Sequence, residues 1–197
     1  MLRKILYPKI EASLQKAACF LTAKKISANQ LTIAGFILSF FAGWIYASGH
    51  VFLGGIAVLI ASSTDLLDGP VARLGGHATK FGAFLDSTLD RYSDFFIFGG
   101  LAVGFARQSE NGLMVLALGS LAGAFVTSYA KARVENFIPD CGVGVFGRAE
   151  RILLLAAGSI LWPLLPFTLW ILFLGTNATA GYRIFYSYKK LAAEKSS

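Results

Sequence analysis

The stretch LTIAGFILSFFAGWIYASGHVFLGGIAVLIASSTDLL, residues 31–67, decides the fold class. It contains two runs that are apolar on nearly every face, and a short Gly-His turn at 49–50 separates them. Each run approaches the ~20 residues that a helix needs to cross the ~30 Å hydrocarbon layer of a bilayer. A membrane-spanning strand would alternate apolar and polar residues with a period of two, which these runs do not show. The stretch therefore predicts two transmembrane helices joined by a tight turn.

The same apolar pattern recurs along the rest of the chain. Of its 197 residues, 55% are hydrophobic and 15% are charged, which is too apolar for an ordinary soluble domain. We therefore predict an all-α integral membrane protein, in which residues 26–197 form one catalytic domain with six transmembrane helices. The predicted spans are 31–49, 51–67, 81–105, 112–130, 151–165 and 167–186.

Residues 1–25 show a different pattern, in which apolar and basic residues recur at helical spacing. The segment lacks the uninterrupted apolar centre that a signal peptide needs. We predict an amphipathic helix that lies in the membrane interface and bends at Pro8. Its apolar positions are Leu2, Leu6, Ile10, Leu14, Ala17 and Leu21.

Basic residues are distributed unevenly between the two ends of the predicted spans. Arg107 stands alone on one side, whereas the other seventeen of the 18 Lys and Arg lie on or near the opposite side. Basic residues collect on the cytoplasmic side of membrane proteins. We therefore predict a multi-pass protein of the cell membrane, with both termini and the active site in the cytoplasm. The net charge of +7 then faces anionic headgroups and anionic substrates, and nucleic acid is not expected as a partner.

The chain has two cysteines, Cys19 and Cys141. They do not have the spacing of metal ligands, and most of the predicted loops are cytoplasmic. We expect neither a disulfide nor a zinc site.

Four aspartates interrupt the apolar pattern at the cytoplasmic ends of the second and third spans. Asp65 and Asp68 share one helix face, and so do Asp86 and Asp90, because residues three or four apart lie one above the other. The loop between the two spans is short, so we expect the spans to be antiparallel neighbours that bring the carboxylates together. Carboxylates at this depth are costly unless a cation or a proton neutralises them.

Divalent cations are the preferred explanation for this cluster. Mg²⁺ and Mn²⁺ accept ligation by oxygen alone, and paired ions held by carboxylates are a known device for moving a phosphoryl group. The alternative is a proton relay or an ion pathway, as in a cation-coupled transporter. Nearby residues favour phosphate, because Gly69 lets a ligand approach the backbone and Arg73 can bind phosphate in a fork. Gly82 clears the helix face one turn before Asp86.

These residues fill the string D-x2-D-G-x2-A-R-x8-G-x3-D-x3-D at all eight fixed positions: Asp65, Asp68, Gly69, Ala72, Arg73, Gly82, Asp86 and Asp90. The string resembles the signature of the CDP-alcohol phosphotransferase family. The six-span layout extends the resemblance over most of the chain. The resemblance implies an integral membrane enzyme, usually a homodimer, in which the hydroxyl of a second alcohol displaces CMP from a CDP-linked alcohol.

The resemblance also implies roles for individual residues. The four aspartates of the string would hold two ions of Mg²⁺ or Mn²⁺, and Asp90 would also take the proton from the attacking hydroxyl. Asp94 lies outside the string, one turn past Asp90 on the same face; from this position we expect a hydrogen-bonded structural residue, and an outer-shell role at the metal site is the alternative. The residues expected to bind the CDP-alcohol donor are Asn29, Thr32, Gly69, Arg73 and Thr79. For Asn29 and Thr32 the alternative is that they cap the first transmembrane helix.

Basic residues outside the signature indicate the acceptor. Their clustering near the cytoplasmic ends of the last three spans suits an acceptor that carries phosphate, although anchoring to anionic lipid is the alternative for each. The stretches SYAKARVE (128–135) and GRAERILLL (147–155) resemble phosphatidylinositol-phosphate synthases, which implies CDP-diacylglycerol as donor and inositol 1-phosphate as acceptor. CDP-inositol as donor, or glycerol 3-phosphate as acceptor, are the alternatives. The candidate acceptor-phosphate ligands are Lys131, Arg133, Arg148, Arg151 and Arg183.

Two pairs of glycines have the spacing that lets helices approach closely. Gly100 and Gly104 lie in the third span, and Gly119 and Gly123 lie in the fourth. We expect one pair at the seam of a homodimer and the other inside the protomer.

Overall fold

The computed structural model describes residues 2–75, 79–138, 143–144 and 146–194. The regular secondary structure in these residues is entirely helical, with no strands, which confirms the all-α prediction. A 3₁₀ turn covers Trp162–Leu164. The α-helices are α1 (Leu2–Ala23), α2 (Ala28–Ala47), α3 (Val51–Leu74), α4 (Lys80–Arg107), α5 (Asn111–Val134), α6 (Arg148–Ile160) and α7 (Leu165–Glu194).

Among the described residues, four segments are long and apolar enough to cross a membrane, and they indicate a multi-pass membrane protein. They are Ala28–Ala47, Val51–Leu74, Asn111–Val134 and Trp162–Ala192. The other two predicted spans differ from these. α4 has 28 residues but carries the charged residues of the acidic motif, and α6 has only 13 residues, about 20 Å of helix. Six helices thus cover the six predicted spans, but the number of helices that cross the membrane stays a prediction.

The contacts at the starts of α2 and α4 bear on the predicted roles of Asn29, Thr32 and Thr79. α2 begins with a capping box, in which Ser27 Oγ accepts from the Gln30 amide at 3.3 Å and Gln30 Oε1 accepts from the Ser27 amide at 2.8 Å. The alternative in which Asn29 and Thr32 cap this helix is therefore wrong. Thr79 is the N-cap of α4, and its hydroxyl accepts from the Gly82 amide at 3.0 Å.

α2 packs against both α3 and α4, whereas α3 and α4 make few close contacts with each other. The prediction that these two helices pack directly against each other as neighbours is therefore wrong, although their carboxylates do meet as predicted. Glycines on α2 explain the difference, because Gly35 faces Thr64 of α3 and Gly43 faces the backbone of α4 at Phe96. Small residues let helix backbones approach closely. The acidic ends of α3 and α4 are consequently held in place through α2.

Both glycine pairs pack inside the protomer. Gly100 and Gly104 of α4 face the backbone of α2, and Gly119 and Gly123 of α5 face side chains of α7. A Cβ atom at any of these positions would collide with the neighbouring helix. The prediction that one pair lies at a dimer seam is therefore wrong.

The remaining contacts fix α6 and α7 beside the acidic motif. α6 packs against α3 and α7, and α5 packs against α4 and α7. Tyr46 of α2 is fully buried, and its hydroxyl lies 2.7 Å from Ser159 Oγ of α6, so that its polar atom is satisfied. These contacts bring the first turn of α6 to the same end of the bundle as the aspartates of α3 and α4.

α1 packs against α3 and buries Ala18. The interfacial position of this helix stays a prediction. Cys19 is exposed and has a free thiol. Cys141 lies outside the described residues.

Candidate active site

The four carboxylates of the acidic motif meet at the ends of α3 and α4. Asp68 lies close enough to Asp65 and Asp86 for their charges to interact, and the carboxyl groups of Asp86 and Asp68 are within hydrogen-bonding distance. Asp65 and Asp90 both contact the guanidinium of Arg148. The structure therefore brings together all four aspartates that the sequence selected as metal ligands.

Thr32 joins this group from the second turn of α2. Its hydroxyl lies 3.2 Å from Asp68 Oδ2 and 3.1 Å from the carbonyl of Ala28. The side chain is buried, so the hydroxyl fixes the position of one carboxylate of the motif. Thr32 thus contacts the acidic cluster, while a contact with the CDP-alcohol donor stays a prediction.

Arg148, the first residue of α6, supplies positive charge to the carboxylates. Its Nη1 contacts Asp65 Oδ2 and lies 2.7 Å from Asp90 Oδ1, and its Nε lies 3.4 Å from Asp94 Oδ1. The side chain is 21% exposed, so the ion pairs are only partly shielded from solvent. One guanidinium therefore spans the acids of α3 and α4.

Asp94 connects this guanidinium to a second one. Its other oxygen, Oδ2, lies 2.8 Å from Nη2 of Arg151, and the two side chains are 4% and 2% exposed. Asp94 is thus a buried aspartate held by two arginines, which agrees with the prediction of a hydrogen-bonded structural residue. Nη1 of Arg151 donates to the carbonyl of Phe146 at 3.3 Å, whereas its buried Nε has no hydrogen-bond partner among the described residues.

Arg183 of α7 reaches the same segment in front of α6. Its Nε donates to the carbonyl of Val143 at 2.8 Å, and its Nη1 donates to the carbonyl of Thr127 at 2.6 Å. The side chain is buried. Arg151 and Arg183 therefore both hold carbonyls of the short segment that precedes α6.

The two basic residues at the end of α5 lie in a different environment. The Lys131 side chain is 45% exposed and lies 3.7 Å from Glu135, one turn further along the same helix. Arg133 is exposed, and its guanidinium carbon lies 5.4 Å from the centre of the Phe137 ring. The five predicted acceptor residues therefore divide into three arginines that are at least partly buried and two basic side chains on the surface.

The predicted donor residues lie at the start of α2, the end of α3 and the start of α4. We call this the open side of the site because Arg73 and Thr79 are exposed there, although Thr32 is buried. A Cβ atom at Gly82 would lie 3.1 Å from Asn29 Oδ1 and 3.2 Å from Thr79 Oγ1, so this glycine leaves room between the starts of α2 and α4. At the end of α3, the position of a Cβ on Gly69 is 3.5 Å from Nη1 of Arg73, which is exposed. Backbone and polar groups thus remain accessible where a phosphate would approach.

The carboxylate donors have the chemistry that hard divalent ions require, since they offer oxygen ligands alone. Within the described ranges, however, no three His, Cys, Asp or Glu side chains close around a single point. Two of the four aspartates are instead turned towards Arg148. The oxygen ligands therefore fit a metal site. In this structure the positive charge beside two of these carboxylates is the guanidinium of Arg148.

The link between the acids and the arginines was not predicted from the sequence. Arg148 was expected to bind the acceptor phosphate, whereas it pairs with Asp65 and Asp90 in the structure. The sequence feature that points to this link is the series Asp86, Asp90 and Asp94 on one face of α4. This series continues one turn beyond Asp90, the last residue of the family string. A third carboxylate on that face required its own cationic partner.

Comparison with known proteins identifies the family. Residues 25–180 match the model of the CDP-alcohol phosphatidyltransferase family. Archaetidylinositol phosphate synthase of Methanothermobacter thermautotrophicus is 39% identical over 135 residues, which cover 68% of this chain and 67% of that protein. Phosphatidylinositol phosphate synthase of Streptomyces avermitilis is 36% identical over 182 residues, which cover 85% of this chain and 74% of that protein.

The fold is similar to that of phosphatidylinositol phosphate synthase from Mycobacterium tuberculosis with CDP-DAG bound. The TM-score is 0.81 at 29% identity, over 89% of this chain and 93% of that one. The same enzyme in complex with manganese and citrate also gives a TM-score of 0.81 at 29% identity, over 89% of this chain and 88% of that one. The enzyme prediction is therefore confirmed over the transporter alternative. This chain belongs to the metal-dependent CDP-alcohol phosphatidyltransferase family and is a CDP-alcohol phosphotransferase.

Proposed function

We propose that this enzyme transfers the phosphatidyl group of CDP-diacylglycerol to inositol 1-phosphate and releases CMP. The observation that carries the choice of acceptor is Arg151. Its guanidinium is buried and paired with Asp94, yet its Nε has no acceptor among the described residues. Buried polar groups normally have a hydrogen-bond partner, so this nitrogen favours an anionic group of the substrate as its partner.

The relatives support this choice of substrates. Two similar proteins are named as synthases of an inositol phosphate lipid, and a structurally similar enzyme of the same name was solved with CDP-DAG. We assign the acceptor phosphate to Arg151 and Arg183, which hold the same segment in front of α6. Lys131 and Arg133 then supply positive charge at the entrance, and Arg148 supplies it beside the aspartates.

The donor occupies the open side of the site in this proposal. Gly69 and Gly82 let the pyrophosphate approach the helix backbones, and Arg73 provides a guanidinium that is free to close on a phosphate. Asn29, Thr32 and Thr79 line the same side and offer polar groups to the cytidine part. The lipid tails extend along the apolar faces of the helices into the bilayer.

Two divalent ions, Mg²⁺ or Mn²⁺, would be held by Asp65, Asp68, Asp86 and Asp90. When bound, they would supply positive charge to the phosphates and ease deprotonation of the acceptor hydroxyl. The carboxylate of Asp90 accepts the proton from this hydroxyl. The hydroxyl oxygen forms a bond to the phosphorus nearer the lipid, and the bond from that phosphorus to the oxygen of CMP breaks. CMP leaves with the bonding electrons.

The membrane arrangement completes the proposal. Residues 26–197 form the six-span catalytic domain in the cell membrane, with the acidic end of the bundle and both termini in the cytoplasm, and residues 1–25 lie in the interface. Seventeen of the 18 Lys and Arg on or near one side support this orientation. A homodimer remains part of the proposal.

A CMP-release assay on the purified protein in detergent tests the proposal. CDP-diacylglycerol and CDP-inositol serve as donors, and inositol 1-phosphate, glycerol 3-phosphate and free inositol serve as acceptors, each with and without Mn²⁺. We expect metal-dependent CMP release that is fastest with CDP-diacylglycerol and inositol 1-phosphate. Equal rates with inositol and inositol 1-phosphate would overturn the phosphate-binding role of the arginines, and a preference for CDP-inositol would overturn the donor assignment.

A further inference from the structure

Arg148 occupies a position that the proposed mechanism does not explain. A residue that binds the acceptor phosphate would be expected to point its guanidinium at that phosphate. Its Nη1 instead contacts Asp65 Oδ2 and Asp90 Oδ1, and these two carboxylates come from different helices. The same contact therefore joins two of the four side chains to which the metal ions are assigned.

A guanidinium and a divalent ion compete for the same carboxylate oxygens. Hydrogen bonds between a guanidinium and a carboxylate use the oxygen lone pairs that a metal ion also needs. The four clustered carboxylates repel one another, and a cation at their centre reduces this repulsion. Arg148 supplies such a cation from within the chain, and its position at the start of α6 places it between α3 and α4.

Asp94 allows the guanidinium to leave the cluster without becoming free. Arg148 Nε lies 3.4 Å from Asp94 Oδ1, and the other oxygen of Asp94 is held at 2.8 Å by Arg151. Asp94 and Arg151 are almost fully buried and pack as a fixed pair, whereas Arg148 is 21% exposed. Nη1 contacts the cluster whereas Nε contacts Asp94, so a rotation of the guanidinium about Nε would move Nη1 away from Asp65 and Asp90 and leave Nε beside Asp94.

We propose that Arg148 is an internal counter-ion that exchanges with a divalent ion. Its guanidinium pairs with Asp65 and Asp90 when no ion is bound there, and it turns towards the anionic substrates when an ion takes its place. Loading of the metal would then release a cation for substrate binding, so that metal and anionic substrate favour each other's binding. This inference rests on the metal site proposed above.

The test measures binding of Mn²⁺ to the purified full-length chain in detergent without substrates, by electron paramagnetic resonance and calorimetry. The variant is Arg148→Gln, which removes the competing guanidinium. The matched control is Arg91→Gln, because Arg91 follows Asp90 directly but donates its Nη1 to the carbonyl of Ser87. Both variants remove one positive charge near the cluster. Of the two charges, the one on Arg148 is paired directly with Asp65 and Asp90, whereas the one on Arg91 is not.

We expect Arg148→Gln to tighten Mn²⁺ binding by about tenfold, which corresponds to about 1.4 kcal/mol. The control should change the Kd by less than about threefold, because it removes only a screened charge. In EDTA the melting temperature of Arg148→Gln should fall below that of the wild type, and saturating Mn²⁺ should remove this difference. Arg148→Lys retains the charge without the planar fork and should give an intermediate affinity, which also provides a test if the Gln variant fails to fold.

Two outcomes separate this inference from the proposed function. If the wild type binds Mn²⁺ and Asp86→Asn abolishes that binding, but Arg148→Gln and Arg148→Lys bind no more tightly than the control, then the exchange is wrong and the metal site stands. If the wild type binds no Mn²⁺, or if Asp86→Asn leaves binding unchanged, the metal site is wrong and the exchange fails with it.

Discussion

The site holds basic residues in two contrasting environments, although all of them come from cytoplasmic helix ends in the sequence prediction. Arg148 and Arg151 at the start of α6 are joined through Asp94 and are partly or fully buried. At the end of α5, Arg133 is exposed and the Lys131 side chain is about half exposed, and their neighbours are Phe137 and Glu135 of the same helix. Sequence position alone does not distinguish these two groups of residues. Because their surroundings differ, substitutions in the two groups should have different effects on the enzyme.

The two groups differ in how far their ion pairs are buried, and burial determines how much free energy the loss of a pair costs. An exposed ion pair contributes about 0–1 kcal/mol because water and salt screen it. Breaking a buried pair leaves an uncompensated charge, which costs about 3–5 kcal/mol. The Arg151 guanidinium, which is paired with Asp94, is therefore fixed in place before a substrate arrives, whereas the side chains at α5 can adapt to the substrate.

The largest effect is expected at the acids that the arginines face. Asp90→Asn removes both the proposed base and a proposed metal ligand, so kcat for CMP release should fall by about 10²–10⁴ or more. Glu135→Gln is the control, because this carboxylate pairs with exposed Lys131 and lies outside the cluster. The assay measures CMP release with saturating Mn²⁺, and melting temperatures show whether each variant is folded. A rate for Asp90→Asn within threefold of the control would remove Asp90 from catalysis.

The next largest effect is expected at Arg151. Arg151→Lys retains the charge beside Asp94 but loses the fork, so the KM for inositol 1-phosphate should rise by about tenfold or more, while the KM for CDP-diacylglycerol changes little. Arg73→Lys on the donor side is the matched variant, with the opposite pattern expected. Both KM values, measured at fixed Mn²⁺, give the comparison. Equal increases in both KM values for Arg151→Lys would exclude a specific role with the acceptor.

Periodicity and spacing predicted much of this molecule. Apolar runs on all faces gave the helices, and the regular spacing of the aspartates placed four carboxylates at one end of the bundle. These features are local, because each depends on residues within one helix. The capping of α4 by Thr79 is likewise a local contact, with Gly82.

The errors concern contacts between helices. A short loop favoured direct packing of α3 on α4, but glycines on α2 let that helix pack closely against each of them instead. The glycine pairs of α4 and α5 are used inside the protomer for the same reason. The pairing of Arg148 with two helices depends on where α6 lies, and no spacing within the chain encodes that position.

A smaller effect is expected at Thr32, which contacts the acidic cluster from α2. Thr32→Val keeps the shape of the side chain and removes the hydroxyl that lies 3.2 Å from Asp68 Oδ2. Loss of one hydrogen bond to a charged group should raise the Mn²⁺ concentration for half-maximal activity by about three- to tenfold. Thr32→Ser keeps the hydroxyl and serves as the control. An unchanged requirement for Mn²⁺ in Thr32→Val would show that Asp68 does not need this contact.

The smallest effect is expected at the exposed end of α5, and its dependence on salt distinguishes the two environments. Lys131→Gln and Arg133→Gln should each raise the KM for inositol 1-phosphate by less than about fivefold, because their charges act through water. Raising KCl from about 0.05 to 0.5 M shortens the screening length, so the difference from the wild type should disappear.

The effect of Arg151→Lys should persist under the same conditions, since a buried contact is screened much less. A salt-resistant increase for Lys131→Gln would mean that this side chain moves into contact with the acceptor phosphate. Lys131 would then belong with the buried arginines, and the ion pair with Glu135 would describe the enzyme before the acceptor binds.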